Sequence, residues 1–175
     1  HDVLALMRRG DVLTHCFRPF PNCAATPDGK VHDYVLDARR RGVIFDIGHG
    51  MGSFSFRIAR TMLANAFQPD CISSDVHALC IEGPAFDLLT TMSKFLCLDM
   101  PLVDVVCAAT VAPARALSRP DLGRLAPGSA GDASILSLET GAFDYVDSVG
   151  ERLIGAQRLV AAGVVLAGQY HSCAA

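Results

Sequence analysis

The chain has 175 residues, with 15 Lys and Arg against 18 Asp and Glu for a net charge of -3, which is one ordinary domain's worth at roughly 100–200 residues per domain. A sequence pI near 6.0 excludes a generic nucleic-acid binder, which shows a basic stripe and a pI above about 9, and a polybasic membrane-surface mode goes with it. With Gly counted and Tyr left out, the apolar share is about 58%, above the usual ~45–50%.

In chain order, the opening His1-Asp2-Val3-Leu4 is neither a signal peptide nor an initiator Met, so the sequence is expected to begin partway through a longer one. Val12 to Phe17 is a short apolar run after Arg9-Gly10-Asp11 and predicts a buried strand that ends in the Pro-rich Arg18 to Asn22. Asp33 to Arg41 predicts a helix stopped by Gly42. Val43 to Ile47 predicts a second buried strand, broken by Gly48-His49-Gly50-Met51-Gly52. Ser53 is the expected cap of the next helix, whose apolar face is Phe56, Ile58, Ala59, Met62, Leu63 and Ala66. Cys71 to Asp75 predicts a third strand, and helices are expected over about Pro84–Leu98 and Leu102–Ala109. Strand, loop and helix in repeated alternation predict parallel βα units. From Gly123 the texture changes to short strands and turns, Ala133 to Leu138 among them, so a small β module is expected from near residue 120 to the end.

Arg, Asp or Glu interrupts every long apolar stretch, so no membrane-spanning helix of about 18 or more residues is predicted. The seven cysteines, Cys16, Cys23, Cys71, Cys80, Cys97, Cys107 and Cys173, are scattered and never paired as C-x-x-C. That argues against a disulfide framework or a cysteine zinc site and for a reducing, cytoplasmic compartment, with the cysteines acting as small packing residues.

His15, His49 and Asp75 each end a predicted strand, 34 and 26 residues apart, close to the ~30 residues of one βα unit. The ends of parallel strands converge on one face, so these groups are expected to meet there as donors for a divalent metal. Gly48 and Gly50 let the backbone turn sharply beside a bulky ligand. Taken singly, each residue has an ordinary role open to it: a strand-end His is commonly a hydrogen-bonded structural group, and Asp75 could cap the segment that follows. His77, two residues on, is a substrate-contact candidate or a solvent-facing loop His. Lys94 and Glu82 read as solvated, His32 and His171 as incidental, and Arg39-Arg40-Arg41 as a helix end favoured by the macrodipole.

Gly10 to Phe17, Phe45 to Gly50 with Ser53-Phe54, and Ile72 to His77 together resemble the second half of an amidohydrolase-superfamily deacetylase, in the dihydroorotase-like branch. Thr110 with Pro113-Ala114, then Leu122 to Gly128 and Asp132, are similar to the superfamily's closing signature. The resemblance implies an α/β fold: the C-terminal half of a (β/α) TIM-type barrel over 1–119, then part of a small β-sandwich over 120–175. It implies two divalent metals, Zn2+ by expectation, with His15 and His49 on the more exposed one. Asp75 would bind the buried metal and act as general base. The implied reaction is deacylation of an N-acyl amino acid or O-acyl hydroxy acid. The alternatives are a cyclic amidohydrolase of dihydroorotase or hydantoinase type, or a non-catalytic remnant acting as a binding or assembly module. A small-molecule substrate is expected, with no nucleic-acid or membrane partner and a homo-oligomer left open. The family's His-x-His pair and carboxylated lysine are not found before His15, so the isolated chain is expected to bind metal weakly and turn over little. Asp75 is the ligand counted on the eighth strand, yet one helix separates it from the strand of His49; either the barrel is reduced or the strand count shifts.

Overall fold

The computed structural model describes residues 2–173. A short helix α1 (Asp2–Leu6) leads to β1 (Val12–Leu13), followed by α2 (Asp33–Arg41), β2 (Ile44–Phe45) and α3 (Phe56–Ala64). Strand β1 pairs with β2 in parallel, Val12 opposite Ile44 and Leu13 opposite Phe45. The segment from Cys71 to Asp75 lies along the other edge of β2. A parallel bridge joins Asp46 to Cys71, and the amides of Ile47, His49 and Gly50 donate to the carbonyls of Cys71, Ser73 and Ser74. The three predicted strands are therefore neighbours in chain order, although the regular pairing is shorter than expected. It stops on β1 where His15 enters the left-handed region at φ 62°.

Helix α2 runs as its composition dictates, with Asp33 in the first turn, three arginines in the last, and Gly42 at φ 91° closing it. Helix α3 starts two residues later than expected. Ser55, not Ser53, is its cap, its hydroxyl accepting from the Ile58 amide at 3.5 Å, because the Ser53 amide donates back to the His49 carbonyl and Phe54 turns inward to full burial.

Helix α4 (Leu88–Leu96) also begins later than its apolar run suggests, capped by Asp87 after Phe86 takes a left-handed conformation. Helix α5 (Leu102–Ala109) matches the expected span, and α6 (Val111–Ala116) follows directly. The rest is an antiparallel sheet of β3 (Ala133–Val146), β4 (Arg152–Leu166) and β5 (Gln169–Ser172), with β4 in the middle. The short strands expected from Gly123 are turns up to residue 132, and the strands that follow are long, with register shifts between Ile135 and Leu136 and between Thr140 and Phe143.

Phe17, Phe45, Ile47, Phe54, Phe56, Ile58, Met62, Phe67 and Phe95 fill the core between the parallel segments and the helices. The Phe54 ring lies 5.6 Å from Phe56 and 5.5 Å from Phe95, the spacing of favourable aromatic pairs. Several contacts fasten the antiparallel sheet to this core, through α4 and through the turn after β3. Helix α4 packs on β4, with the Leu159 amide donating to the Ser93 hydroxyl at 2.9 Å. Past the end of β3, buried Asp147 accepts from the Phe56 amide at the start of α3, and from the Val149 and Glu151 amides of its own turn. Among the described residues no helix is long and apolar enough to cross a membrane.

Candidate metal and catalytic site

The C-terminal ends of the parallel segments bring His15 and Asp75 together. His15 Nδ1 lies 2.8 Å from the Gly48 carbonyl, which can only accept, so in the neutral ring this nitrogen carries the proton and Nε2 presents a lone pair. That Nε2 faces Asp75 Oδ2 at 4.0 Å, and both side chains reach solvent. Both residues hold left-handed backbone, φ 62° and 46°, a conformation uncommon outside glycine.

Two glycines make the space. A Cβ on Gly48 would come within 2.2 Å of Thr14 Oγ1 and 2.7 Å of His15 Nδ1, and one on Gly50 within 2.6 Å of Asp75 Oδ2. Beneath the pair runs a polar row. Asp46 Oδ2 accepts from the hydroxyls of Thr14 and Ser73, each at 2.7 Å, and the Ser73 oxygen accepts in turn from the Gly48 amide. The sequence expectation gives Asp46 no role beyond its strand; a carboxylate between the buried Phe45 and Ile47 is the signal that singles it out.

His49 is placed differently from the sequence expectation. Its ring is fully buried and stacks on Phe54 at 4.7 Å. Its Nδ1 lies 2.9 Å from the Gly50 carbonyl and therefore donates, while its Nε2 is 2.7 Å from Lys94 Nζ. Both nitrogens are engaged away from the His15–Asp75 pair. Lys94, expected in solvent, is instead completely buried, and it also donates to the carbonyls of Pro84 (2.7 Å) and Val146 (2.8 Å). Burial, and then the Lys94 charge, push the His49 imidazole down to about 4; burial pushes the Lys94 ammonium down to about 7. No local signal marks Lys94, because its partners come from 10, 45 and 52 residues away.

His77 is exposed, and its Nδ1 accepts from the Leu79 amide at 3.3 Å, leaving Nε2 as the protonated nitrogen of the neutral ring. A cavity of about 750 Å³ lined by Arg39, Arg60, Asp70 and Met100 lies at the opposite, N-terminal ends of the strands and holds none of these residues.

The open Nε2 of His15 and the carboxylate of Asp75 suit one divalent cation between them, given bonds of about 2.0–2.2 Å. His49 as placed does not extend that set, and no cluster of three or more His, Cys, Asp or Glu able to hold a metal occurs among the described residues.

No protein-family model matches the chain. It is 33% identical over 172 residues to a deacetylase of Enterococcus faecalis, covering 97% of this chain and 47% of that one. A deacetylase of Agrobacterium fabrum is 35% identical over 150 residues, 86% of this chain and 37% of the relative. Among solved structures, one described as an adenine deaminase superposes with a TM-score of 0.95 and one described as a dihydroorotase with 0.83. Each is 32% identical and matched over 98% of this chain and 47% of its own. With its parallel βα order and paired His and Asp at the strand ends, the chain belongs to the amidohydrolase superfamily. Its curated relatives there are the deacetylases, and it spans about half their length or less.

Proposed function

We propose that this chain forms part of a metal-dependent hydrolase that removes an acyl group from a small molecule, an N-acyl amino acid or an O-acyl hydroxy acid. One observation carries the reading: in a relative of deacetylases, His15 presents an unprotonated Nε2 to an Asp75 oxygen 4.0 Å away, at the mouth where parallel strands end. His15 and Asp75 would hold a divalent metal, zinc by preference, which supplies an activated water near neutral pH and polarises the scissile carbonyl. Asp75 takes the proton from the attacking water and returns it to the leaving group. His77, on the loop after Asp75 and with Nε2 as the protonated nitrogen of its neutral ring, would donate to a substrate oxygen.

In the same reading residues 1–119 are part of a (β/α) barrel and 120–175 a segment of a β-sandwich. The exposed Ile135, Leu138, Ile154 and Leu166 on β3 and β4 fit a sheet that a second layer covers. The 175 residues alone supply two ligands in this geometry, so they hold metal weakly and turn over little. A cyclic amidohydrolase is the second reading, supported by the likeness to a dihydroorotase structure.

The test expresses the protein extended upstream of His1 with zinc or manganese and screens N-acyl amino acids, O-acyl hydroxy acids and cyclic amides. Acyl release that disappears in H15N and D75N is the expected result. Hydrolysis of cyclic amides alone transfers the assignment to the second reading, and no hydrolysis of any of them leaves the non-catalytic module.

A further inference from the structure

We propose that Lys94 is a positioning residue for this site, and that His49 serves as its partner and not as a metal ligand. The ammonium has three N–H groups and three acceptors: His49 Nε2, the Pro84 carbonyl and the Val146 carbonyl, at 2.7, 2.7 and 2.8 Å. These come from the turn after β2, the loop before α4, and the end of β3. Lys94 is wholly buried and its three N–H donors are all taken up, so it reaches no substrate and acts only through what it holds.

What it holds is the turn from Gly48 to Gly50. With its ring clamped between Lys94 and Phe54, His49 fixes the backbone on both sides of itself. On one side, the Gly48 carbonyl takes the His15 Nδ1 proton and so leaves Nε2 free. On the other, Gly50 leaves the room that Asp75 Oδ2 occupies, since a Cβ there would meet that oxygen at 2.6 Å, so the position of this backbone sets the position open to the carboxylate. The Gly50 carbonyl in turn accepts from His49 Nδ1, closing the loop of contacts. The path runs from Lys94 to His49, to the two glycines, to the pair. Moving His49 Nε2 onto a metal would break it and leave a buried ammonium short of one acceptor, a costly state for a charged group.

The inference rests on the reading of His15 and Asp75 as metal ligands, and the experiment separates the two. Nitrogen-15 NMR of the ring nitrogens is recorded on the 175-residue chain, metal-free and then with zinc added, for the unmodified protein, K94M and K94R. In the metal-free protein His15 and His49 are each expected as a single tautomer protonated on Nδ1. K94M is expected to turn His15 into a mixture of both tautomers and to weaken zinc at His15 about tenfold, the lower end of what losing a supporting contact does; K94R, which keeps a buried cation donor, restores the single tautomer at least in part. An unchanged His15 tautomer in folded K94M overturns the positioning role. Should K94M not fold, zinc with the unmodified chain decides: a shift at His15 Nε2 with His49 Nε2 still supports the inference, and a zinc shift at His49 Nε2 overturns it. Zinc that moves neither ring removes the metal reading of the pair, while the tautomers still judge Lys94: a mixed His15 tautomer in folded K94M that K94R returns toward the single form supports it, and a His15 tautomer unchanged in folded K94M overturns it; should K94M not fold, a His49 ring of the unmodified chain protonated on Nδ1 supports the Lys94 contact and one protonated on Nε2 overturns it.

Discussion

Gly50 and Asp75 are packed so tightly that a methyl group on Gly50 would stand 2.6 Å from the Asp75 carboxylate oxygen. Gly50 is also at φ 50°, where a side chain is strained whatever the space around it, by about 1–2 kcal/mol. G50A is therefore expected to lower stability by about that amount and to displace Asp75 from His15 as well. Urea unfolding should show the first effect and zinc titration the second. A G50A protein with unchanged zinc binding would mean that the glycine serves the turn alone.

G48A should be the more damaging exchange, since its methyl would meet both Thr14 Oγ1 at 2.2 Å and His15 Nδ1 at 2.7 Å. Neither is the far end of a flexible chain: Thr14 is held by Asp46, and the His15 ring by the Gly48 carbonyl itself. Thermal melts of both variants side by side check the order; G48A melting above G50A contradicts it.

Asp46 supports the site through two hydroxyls, and its removal leaves Thr14 and Ser73 without their acceptor. D46A is expected to lose about 1–3 kcal/mol, the usual consequence of stranding partly buried polar groups. D46N, which keeps one oxygen to accept from both hydroxyls, should lose less. Equal stability losses for D46A and D46N in urea unfolding would show that the acceptor geometry is not what Asp46 contributes.

How much of this was legible in the sequence depends on how local the cause is. Helix α2 was readable with its stop because Asp33, the arginines and Gly42 act within one turn of the chain. Helix α5 was readable because Pro101 bounds it and its apolar residues recur at helical spacing. Ser53 and Ser55 were equally good caps on paper. The choice fell to Ser55 because Asp147, 91 residues away, takes the Phe56 amide and draws the start of α3 toward the sheet. The strands β3 and β4 look short and weak in the sequence because apolar and polar residues do not alternate along them: Leu153 and Ile154 are adjacent, and alanine or glycine fills many positions, although the burial of β4 does alternate from Arg152 to Leu159. At the site, His15 and Asp75 were visible as strand-end donors, and the structure does set them face to face. His49 obeyed the same pattern but met Lys94, a contact spanning 45 residues that neither residue announces.

The Asp147 joint itself can be tested. One carboxylate satisfies three amides, those of Phe56, Val149 and Glu151, at 2.8–2.9 Å and almost fully out of water. Hydrogen bonds to a charged group are worth about 1.5–3 kcal/mol each, and they share a single anchor here, so D147A should destabilise by about 3 kcal/mol or more. Hydrogen exchange should also rise at the Phe56 amide and in the turn from Asp147 to Glu151 together. Faster exchange confined to that turn would separate it from α3.

Acid should weaken the fold through His49. The imidazole is pushed to about 4 in the folded chain by burial and by Lys94, against 6.5 when unfolded. Between those values the unfolded chain takes up a proton that the folded chain refuses. The contribution of this group is therefore complete above about pH 6.5, falls as the pH drops toward 4, and changes little below that. Integrated over the window it amounts to at most about 3 kcal/mol. Lys94 acts in the same sense at higher pH: pushed down to about 7 by burial from 10.5, it makes stability rise as pH climbs between those values. Urea unfolding in steps of about one pH unit from pH 4.5 upward measures both windows. H49Q, with no titrating ring, should flatten the lower one relative to the unmodified chain, and an H49Q profile that falls just as steeply on acidification would place the loss on other groups.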